Sequence, residues 1–253
     1  MSDYKILTAG DTALVVEFGD RVDRQLSVRV LSLARALDRT RLDGIIETVP
    51  TYRSLMIHYD PLRLSAASLI TAIAKLNDDL PANDGTGRTW RIPACYDASI
   101  APDLDYVASE CGLTPSQVIE LHSETIYHVY MIGFMPGFAY LGDIPAELVL
   151  PRRLSPRQRV PAGSLAIAAT MTCVYPGESP GGWHLIGRSP VELLKRRPIP
   201  ATLLAPGDQV MFAPVSLHEY QRLLEQATRG ILEIAPNGEP VMDAAPAPLP
   251  IQR

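Results

Sequence analysis

Residues 127–188 constrain the fold of this chain more than any other segment. They begin with Y-H-V-Y-M-I-G-F-M-P-G-F-A-Y-L-G-D and end with Y-P-G-E-S-P-G-G-W-H-L-I-G-R. Proline removes a backbone hydrogen-bond donor and glycine weakens a helix, so no long helix runs through this segment. We therefore expect short strands joined by tight loops, and loops rich in arginine, aromatic residues and histidine are typical of functional sites.

Composition places the chain among soluble globular proteins. Of its residues, 47% are apolar and 20% are charged, as in ordinary globular proteins. Its length of 253 residues is enough for one large domain or two smaller ones. The net charge of −5 argues against a general nucleic-acid binder, and no run of about eighteen apolar residues is present to span a membrane. Since the start also lacks an apolar signal core, we expect a cytoplasmic protein with no nucleic-acid or membrane partner.

Standard motifs of metal, nucleotide and acyl-transfer sites are missing. Cys95, Cys111 and Cys173 are widely spaced without an accompanying histidine set, which predicts reduced thiols and no metal site. The segment G-E-S-P-G-G-W lacks the Lys-Ser/Thr that ends a nucleotide phosphate loop. The segment A-G-S-L-A is not a G-x-S-x-G nucleophile elbow, and no H-E-x-x-H is present.

Hydrophobic periodicity predicts a small N-terminal domain at residues 1–80. Strands are expected at 4–8, 13–18, 45–49 and 55–59, and helices at 23–38 and 65–76. The order strand, strand, helix occurs twice. It favours an α+β sandwich with both helices on one face of a mainly antiparallel sheet.

The second half is predicted to be rich in β-structure. A polar, glycine-containing linker at residues 81–87 precedes it. Helices are expected at 103–110, 116–122 and 216–227, and strands at 90–94, 127–132, 165–169, 184–187 and 209–213. Turn signals separate these strands and indicate a β-barrel or sandwich over residues 88–236. Residues 237–253 are expected to form an extended tail.

The segment G-F-M-P-G-F-A-Y-L, residues 133–141, is a candidate binding surface. Its glycines permit positive φ and close backbone approach, while its rings can form an aromatic wall. A loop packed on its own aromatic rings is the plainer interpretation, and the lining of a small-molecule pocket or partner groove is the functional one. The residues that we assign to such a pocket or partner surface are Tyr127, Phe134, Phe138, Tyr140 and Trp183.

A run of arginines is the candidate anion site. Such runs often form a solvated loop face, but guanidinium groups held around a rigid proline also suit a carboxylate or a phosphate. The run leads into V-P-A-G-S, which can add backbone and hydroxyl donors. The candidate substrate- or anion-binding residues are Arg152, Arg153, Arg157, Arg159 and Arg188.

His122, Ser164 and His184 are the candidate catalytic residues. His122 ends a predicted helix, so it either interacts with the helix C-terminus or acts as an acid–base group. His184 follows Trp183 and can enter a pocket beside the indole. Ser164 supplies the hydroxyl of V-P-A-G-S.

Three motifs in order resemble the bacterial 5-oxoprolinase PxpB family, also called the KipI or allophanate hydrolase subunit 1 family. They are G-F-M-P-G-F-A-Y-L, P-R-R-x-x-P-R-x-x-V-P-A-G-S and Y-P-x-x-S-P-G-G-W-x-x-I-G-R-S-P. Further matches are G-D-T-A-L-V-V-E-F-G, V-P-T-Y-R-S-L-M-I-H-Y-D and A-P-G-D-Q-V-M-F, so the resemblance covers residues 4–224. One departure is Cys173, where the family more often has a glycine, and its side chain is expected to narrow the adjoining site.

The resemblance implies a small N-terminal α+β domain and a C-terminal cyclophilin-like β-barrel. It also implies partners, a homologous C subunit and an A subunit, and the ATP-dependent opening of 5-oxoproline to glutamate. ATP is then shared with the partner subunits, because this chain has no recognisable nucleotide loop. We expect the chain to contribute part of a shared site and to be inactive alone.

Two other functions occur within the same resemblance. One is a KipI-like module that binds and inhibits a sensor histidine kinase, with the aromatic loops as its contact surface. The other is allophanate hydrolase subunit 1, which the absence of an amidase-type Ser/Lys signature disfavours. Neighbouring genes for C and A subunits would favour the enzyme, and a neighbouring sensor kinase without them would favour the inhibitor.

Overall fold

The computed structural model describes residues 4–78, 80, 87–194 and 202–237. These residues form two compact units. The first contains the residues up to 87 together with 130–132 and 205–207, and the second contains the rest. Apart from Gly87 and Asn237, the predicted linker and the predicted tail lie outside the described residues.

The first unit is a four-stranded antiparallel sheet with two helices. Its strands are β1 (Lys5–Thr8), β2 (Ala13–Glu17), β3 (Ile45–Pro50) and β4 (Ser54–Tyr59), in the spatial order β1-β2-β4-β3. Its helices are α1 (Arg24–Thr40) and α2 (Ala66–Asp78). The predicted order of strands and helices is confirmed.

Local sequence explains the helices of the first unit. The Asp23 carboxylate accepts hydrogen bonds from the backbone amides of Gln25 and Leu26, which satisfies two donors that the first turn of α1 leaves open. Alternate residues of β2 and β4 face the helices. The core between sheet and helices includes Leu14, Val16, Leu33, Leu37, Leu55, Ile57, Leu69 and Ile73.

The second unit contains the remaining elements, except that the last three residues of β6 belong to the first unit. Its helices are α3 (Leu104–Glu110), α4 (Pro115–Glu124) and α5 (Leu217–Thr228), with a short 3₁₀ turn at Ala146–Leu148. Its first strands are β5 (Thr89–Ala94), β6 (Tyr127–Ile132), β7 (Ala139–Gly142), β8 (Arg157–Val160) and β9 (Ser164–Ala168). The others are β10 (Met171–Val174), β11 (Ser179–Gly181), β12 (His184–Arg188) and β13 (Gln209–Pro214).

Seven of these strands form a barrel-like sheet in the order β12-β9-β10-β7-β6-β13-β5. Its pairs β12–β9, β9–β10, β10–β7 and β6–β13 are antiparallel, and the pair of β13 with β5 is parallel. At the two outer strands, Cys95 and Arg188 exchange backbone hydrogen bonds of 2.8 Å, which joins the end of β5 to β12. This bridge brings the sheet close to a closed barrel and confirms the predicted α+β fold with a C-terminal β-barrel.

Strands β8 and β11 pair only with each other among the described residues, and β8 carries the middle of the arginine run. The pairing places Gly181 opposite Arg157. Sequence patterns predict loops here, and they also miss β7 and β10. Each of these four strands is three or four residues long, and two contain or adjoin prolines, so their periodicity is too short to detect. Among the described residues, no helix is long and apolar enough to cross a membrane.

Candidate functional site

A buried carboxylate organises part of the arginine run in the second unit. Oδ1 of Asp103 lies 2.7 Å from Nη2 of Arg157 and 3.2 Å from Nη1 of Arg153. The Asp103 side chain is 6% exposed, whereas those of Arg153 and Arg157 are 31% and 24% exposed. Two positive charges therefore share one negative charge, and neither arginine lies on a freely solvated face.

Asp103 is held in place by the strand opposite it. Its Oδ2 accepts the amide of Leu185 at 2.7 Å, and its own amide donates to the Leu185 carbonyl at 3.0 Å. Asp103 precedes α3, but its side chain makes no capping bond to that helix. The carboxylate is instead committed to β12 and to the two arginines.

His184, the first residue of β12, lies beside this network. Its Nε2 is 2.9 Å from the carbonyl oxygen of Pro151, which can only accept, so the ring proton belongs on Nε2. Nδ1 then carries a lone pair, and it is buried without a hydrogen-bond partner. The ring is 3% exposed and stacks on Tyr106, with centroids 5.4 Å apart and planes inclined by 20°.

Both arginines also retain buried donors that are not used by the protein. Nε of Arg153 and Nη1 of Arg157 have no hydrogen-bond partner and are shielded from solvent. A buried donor without an acceptor costs about 1–3 kcal/mol, and charged donors cost more. Nδ1 of His184 is a third buried polar atom of the second unit without a partner.

The loop motif G-F-M-P-G-F-A-Y-L builds an aromatic cluster next to the arginines. Phe138 is its centre and is only 2% exposed. It contacts four other rings at centroid distances of 4.9–5.9 Å: Phe134, Tyr140, Tyr175 and Trp183. The plainer sequence interpretation, a loop packed on its own rings, therefore describes Phe138. Its burial contradicts the alternative interpretation of Phe138 as an exposed partner contact.

Phe134 is the exposed ring of this cluster, at 65%. It has φ of 66°, and the amide of Met135 donates to the Gly133 carbonyl at 2.8 Å across it. This i to i+2 bond at positive φ defines a rare and strained γ-turn. The turn is braced by Gly133 and Phe138, whose backbones bond at 3.0 Å. Of the predicted surface residues, Phe134 is the one that the structure presents most fully to solvent.

Arg152 stands at the edge of the aromatic cluster. It is exposed, and its guanidinium lies 5.8 Å from the centroid of the Trp183 ring. Burial raises the pKa of both the Tyr140 and Tyr175 hydroxyls, while the charge of Arg152 partly opposes the rise. Cys173 is fully buried, and burial raises the pKa of its thiol well above the ordinary value, so the thiol stays neutral. The cluster thus joins apolar rings, neutral hydroxyls and one cation.

The glycines of S-P-G-G-W serve packing. A Cβ on Gly181 would overlap the Tyr175 hydroxyl, so Gly181 lets β11 cross directly over that ring. The Gly182 carbonyl accepts the amide of Arg153 at 2.8 Å. Because these glycines are engaged by a ring and by a neighbouring backbone, they do not form an open loop that could surround phosphates.

His122 lies inside the barrel. Thr172 donates its hydroxyl proton to the Ala166 carbonyl at 3.0 Å, so its oxygen accepts from His122 Nε2 at 2.9 Å. His122 Nδ1 then accepts from the Tyr96 hydroxyl at 2.8 Å. Burial lowers the pKa of His122 to about 3. With both nitrogens occupied and the ring fully buried, the predicted acid–base role is replaced by a structural one.

Tyr127 is also a core residue. It is fully buried, and its hydroxyl donates to the His122 carbonyl at 2.9 Å, so the predicted pocket or partner surface does not include it. Ser164 is 2% exposed, and within the described residues no histidine hydrogen-bonds its hydroxyl. Its position therefore gives no support to a serine nucleophile.

The last two candidate arginines lie outside the Asp103 network. Arg159 pairs with Glu178 at 2.6 Å, and both side chains are exposed. Arg188 donates from Nη2 to the Ala162 carbonyl at 2.6 Å, and its Nε is buried without a partner. The structure thus brings Arg153 and Arg157 together at Asp103, with His184 next to Leu185 on β12, and places Arg152 at the neighbouring aromatic cluster.

Sequence patterns do not reveal Asp103 and Tyr175 as members of this region. Asp103 stands at the start of a predicted helix, and it is 54 residues from Arg157, so no local spacing connects them. Tyr175 opens the motif Y-P-x-x-S-P-G-G-W, which is the one signal that could have found it. Among the described residues, no group of three or more histidine, cysteine, aspartate or glutamate side chains could hold a metal ion.

The sequence matches the family model of the carboxyltransferase domain, subdomains C and D, over residues 4–204. The 5-oxoprolinase B subunit of Bacillus subtilis (strain 168) is 35% identical over 238 residues, covering 88% of this chain and 98% of that protein. The 5-oxoprolinase B subunit of Escherichia coli O157:H7 is 37% identical over 205 residues, covering 81% of this chain and 93% of that protein.

Solved structures include the crystal structure of TTHA0988, which is similar with a TM-score of 0.72 and 39% identity over 80% of this chain. This chain spans 40% of that longer chain. The likeness therefore concerns one part of TTHA0988.

Proposed function

Because the chain belongs to the family of carboxyltransferase domains, subdomains C and D, and to the group of 5-oxoprolinase B subunits within that family, we propose that it is the B subunit of an ATP-dependent 5-oxoprolinase. The observation that carries this proposal is the alignment with the Bacillus subtilis relative of that name, which extends over 98% of the relative. The three ordered motifs of residues 133–190 support the same assignment.

The overall reaction is the conversion of 5-oxoproline, ATP and two molecules of water to glutamate, ADP and phosphate. The lactam C–N bond breaks, and the carbonyl carbon becomes the side-chain carboxylate of glutamate. Opening this ring is unfavourable without coupling, so ATP supplies the driving force through an acyl-phosphate type of activation. Arginines suit such a reaction because they neutralise carboxylate and phosphoryl charge.

We assign ATP binding to the complex and not to the glycine-rich segment of this chain. Gly181 packs against Tyr175 and Gly182 bonds to Arg153, so neither glycine lies in an open loop that could surround phosphates. The charge that this chain can offer to a substrate carboxylate or a transferring phosphoryl group comes from the exposed Arg152 and from the Asp103 network. ATP supplies phosphoryl activation when bound, and these arginines stabilise negative charge near the substrate.

The partners in this proposal are the homologous C subunit and the A subunit. An enzyme that acts alone needs its own nucleophile and base. Among the described residues, Ser164 has no histidine at its hydroxyl, and His122 is enclosed in the barrel. The chain is therefore proposed to be inactive alone and to complete a site with its partners, in the cytoplasm.

A direct test is reconstitution of the three subunits with ATP and 5-oxoproline, followed by measurement of released glutamate. Activity that requires this chain supports the enzyme subunit. A complete complex without activity, together with inhibition of a sensor kinase by the purified chain, would favour the KipI-like alternative. Hydrolysis of allophanate by the complex would favour the allophanate hydrolase alternative.

A further inference from the structure

Three buried atoms in and beside the Asp103 network have unused hydrogen-bonding capacity. Arg153 Nε and Arg157 Nη1 are donors, and His184 Nδ1 is an acceptor. The arginines are tied to each other through Oδ1 of Asp103, and His184 directly precedes Leu185, whose amide binds Oδ2 of Asp103. Native proteins leave few buried polar groups unpaired, so two on this network and a third on the residue beside Leu185 need a physical reason.

The charges of this network leave it one positive charge in excess. Arg153 and Arg157 contribute two permanent positive charges, and Asp103 contributes one negative charge. Nη2 of Arg157 and Nη1 of Arg153 are already engaged by the Asp103 carboxylate, so their side chains are fixed before any ligand arrives. A single carboxylate would balance the remaining charge and accept from the unused donors.

The acceptor is equally specific. The Pro151 carbonyl fixes the proton of His184 on Nε2, and stacking on Tyr106 fixes the ring plane. In a neutral imidazole with its proton on Nε2, Nδ1 can only accept a hydrogen bond. Its natural complement is an uncharged N–H group of a ligand.

We propose that this network is a receptor for a small ring compound that carries one carboxylate and one neighbouring N–H, with the carboxylate on Arg153 and Arg157 and the N–H on His184 Nδ1. This inference rests on the proposed function, since 5-oxoproline has both groups on adjacent atoms of its lactam ring. Nδ1 of His184 then accepts a hydrogen bond from the lactam N–H, while the two arginines bind the carboxylate. Asp103 is a positioning residue that holds both arginines.

The test uses three ring compounds with the full-length chain in the reconstituted complex. 5-Oxoproline has both groups, 2-pyrrolidinone lacks the carboxylate, and cyclopentanecarboxylate lacks the N–H. Dissociation constants are measured by calorimetry in the absence of ATP. We expect 5-oxoproline to bind at least about tenfold more tightly than either analogue, and Arg157→Lys to weaken 5-oxoproline and cyclopentanecarboxylate by similar factors.

The decisive variant is His184→Leu, which removes the acceptor. The preference for 5-oxoproline over cyclopentanecarboxylate should fall close to one, a change that a merely structural role would not produce. Arg159→Lys, in the exposed pair with Glu178, is the matched control. It should change the dissociation constants of 5-oxoproline and of cyclopentanecarboxylate by no more than about twofold. Should His184→Leu fail to fold, equal binding of 5-oxoproline and cyclopentanecarboxylate to the unmodified complex would still overturn the inference.

The outcomes separate this inference from the proposed function. If the complex is active and its preference for 5-oxoproline over cyclopentanecarboxylate is the same with the parent chain and with His184→Leu, only the receptor assignment is overturned. A complex that binds 5-oxoproline with the expected preference but releases no glutamate with ATP supports the receptor and contradicts the proposed enzymatic function.

Discussion

Asp103 and Arg157, 54 residues apart in the sequence, form a 2.7 Å ion pair in the second unit. The pair joins the start of α3 to β8, and the same carboxylate binds the backbone of β12 through Leu185. Three elements distant in sequence are thus connected through one side chain. The arrangement gives Asp103 a role in both stability and the placement of the arginines.

Asp103→Asn is expected to destabilise the chain by about 2 kcal/mol. Removing one partner of a buried pair costs about 3–5 kcal/mol, and the partial exposure of Arg153 and Arg157 reduces this figure through solvent screening. Urea unfolding measures the change. Glu178→Gln, at the exposed pair with Arg159, is the control and should cost no more than about 1 kcal/mol. Equal midpoints for the two variants would contradict the organising role of Asp103.

Phe138→Ala is expected to destabilise the chain by about 3 kcal/mol or more, because a ring with four aromatic neighbours leaves a large cavity when truncated. Phe134→Ala removes a ring of the same size that is 65% exposed, so its effect on unfolding should be below about 1 kcal/mol. Thermal unfolding of the two variants makes the comparison. Similar losses at both positions would show that the cluster is not centred on Phe138.

The stability of the chain should fall as the pH drops from 7 to 5 because of His122. Its folded pKa is about 3, below its ordinary value of 6.5, because burial disfavours the cation. Between about pH 3 and pH 6.5 the unfolded chain binds a proton at His122 that the folded chain does not bind, so acid favours unfolding. For such a shift in pKa, the free energy of unfolding decreases by about 2 kcal/mol between pH 7 and pH 5.

His122→Gln should be less stable than the parent at pH 7 but should show a flatter pH dependence between pH 7 and 5. Urea midpoints at the two pH values provide the comparison for each protein. Parallel curves for parent and variant would mean that His122 is not the group responsible.

Gly163→Ala is expected to destabilise the chain by at least about 2 kcal/mol, because strain and a steric overlap act together. Gly163 has φ of 77°, and an added Cβ would lie 2.5 Å from the Ser189 carbonyl oxygen. Gly112→Ala is a matched control, since Gly112 has φ of 67° but open space around it, and should cost about 1 kcal/mol. Urea unfolding that ranks the two variants in the opposite order would contradict this role of the V-P-A-G-S glycine.

Local rules predict the features of the fold that depend on near neighbours. Asp23 and Thr114 are of residue types that favour the cap position, and both side chains accept backbone amides at the starts of α1 and α4. Alternating apolar residues locate β2 and β4. These features depend on neighbours within a few residues, so periodicity and capping rules find them.

The candidate site depends on contacts that no local rule contains. Arg157 stands out in the sequence for its charge, but its partner Asp103 lies at a distant helix start. The acceptor lone pair of His184 follows from a bond to Pro151, 33 residues away. His122, conversely, is expected near a functional surface, and the barrel encloses it. Residue types could therefore be predicted, whereas their pairing required the fold.

The most direct test of the proposed function is glutamate release from 5-oxoproline and ATP by the A, B and C subunits mixed in equal amounts, with each subunit omitted in turn. We expect glutamate with the full set, none from this chain alone, and loss of release when this chain is left out. Release by this chain alone, or undiminished release by the other two subunits without it, would contradict the assignment.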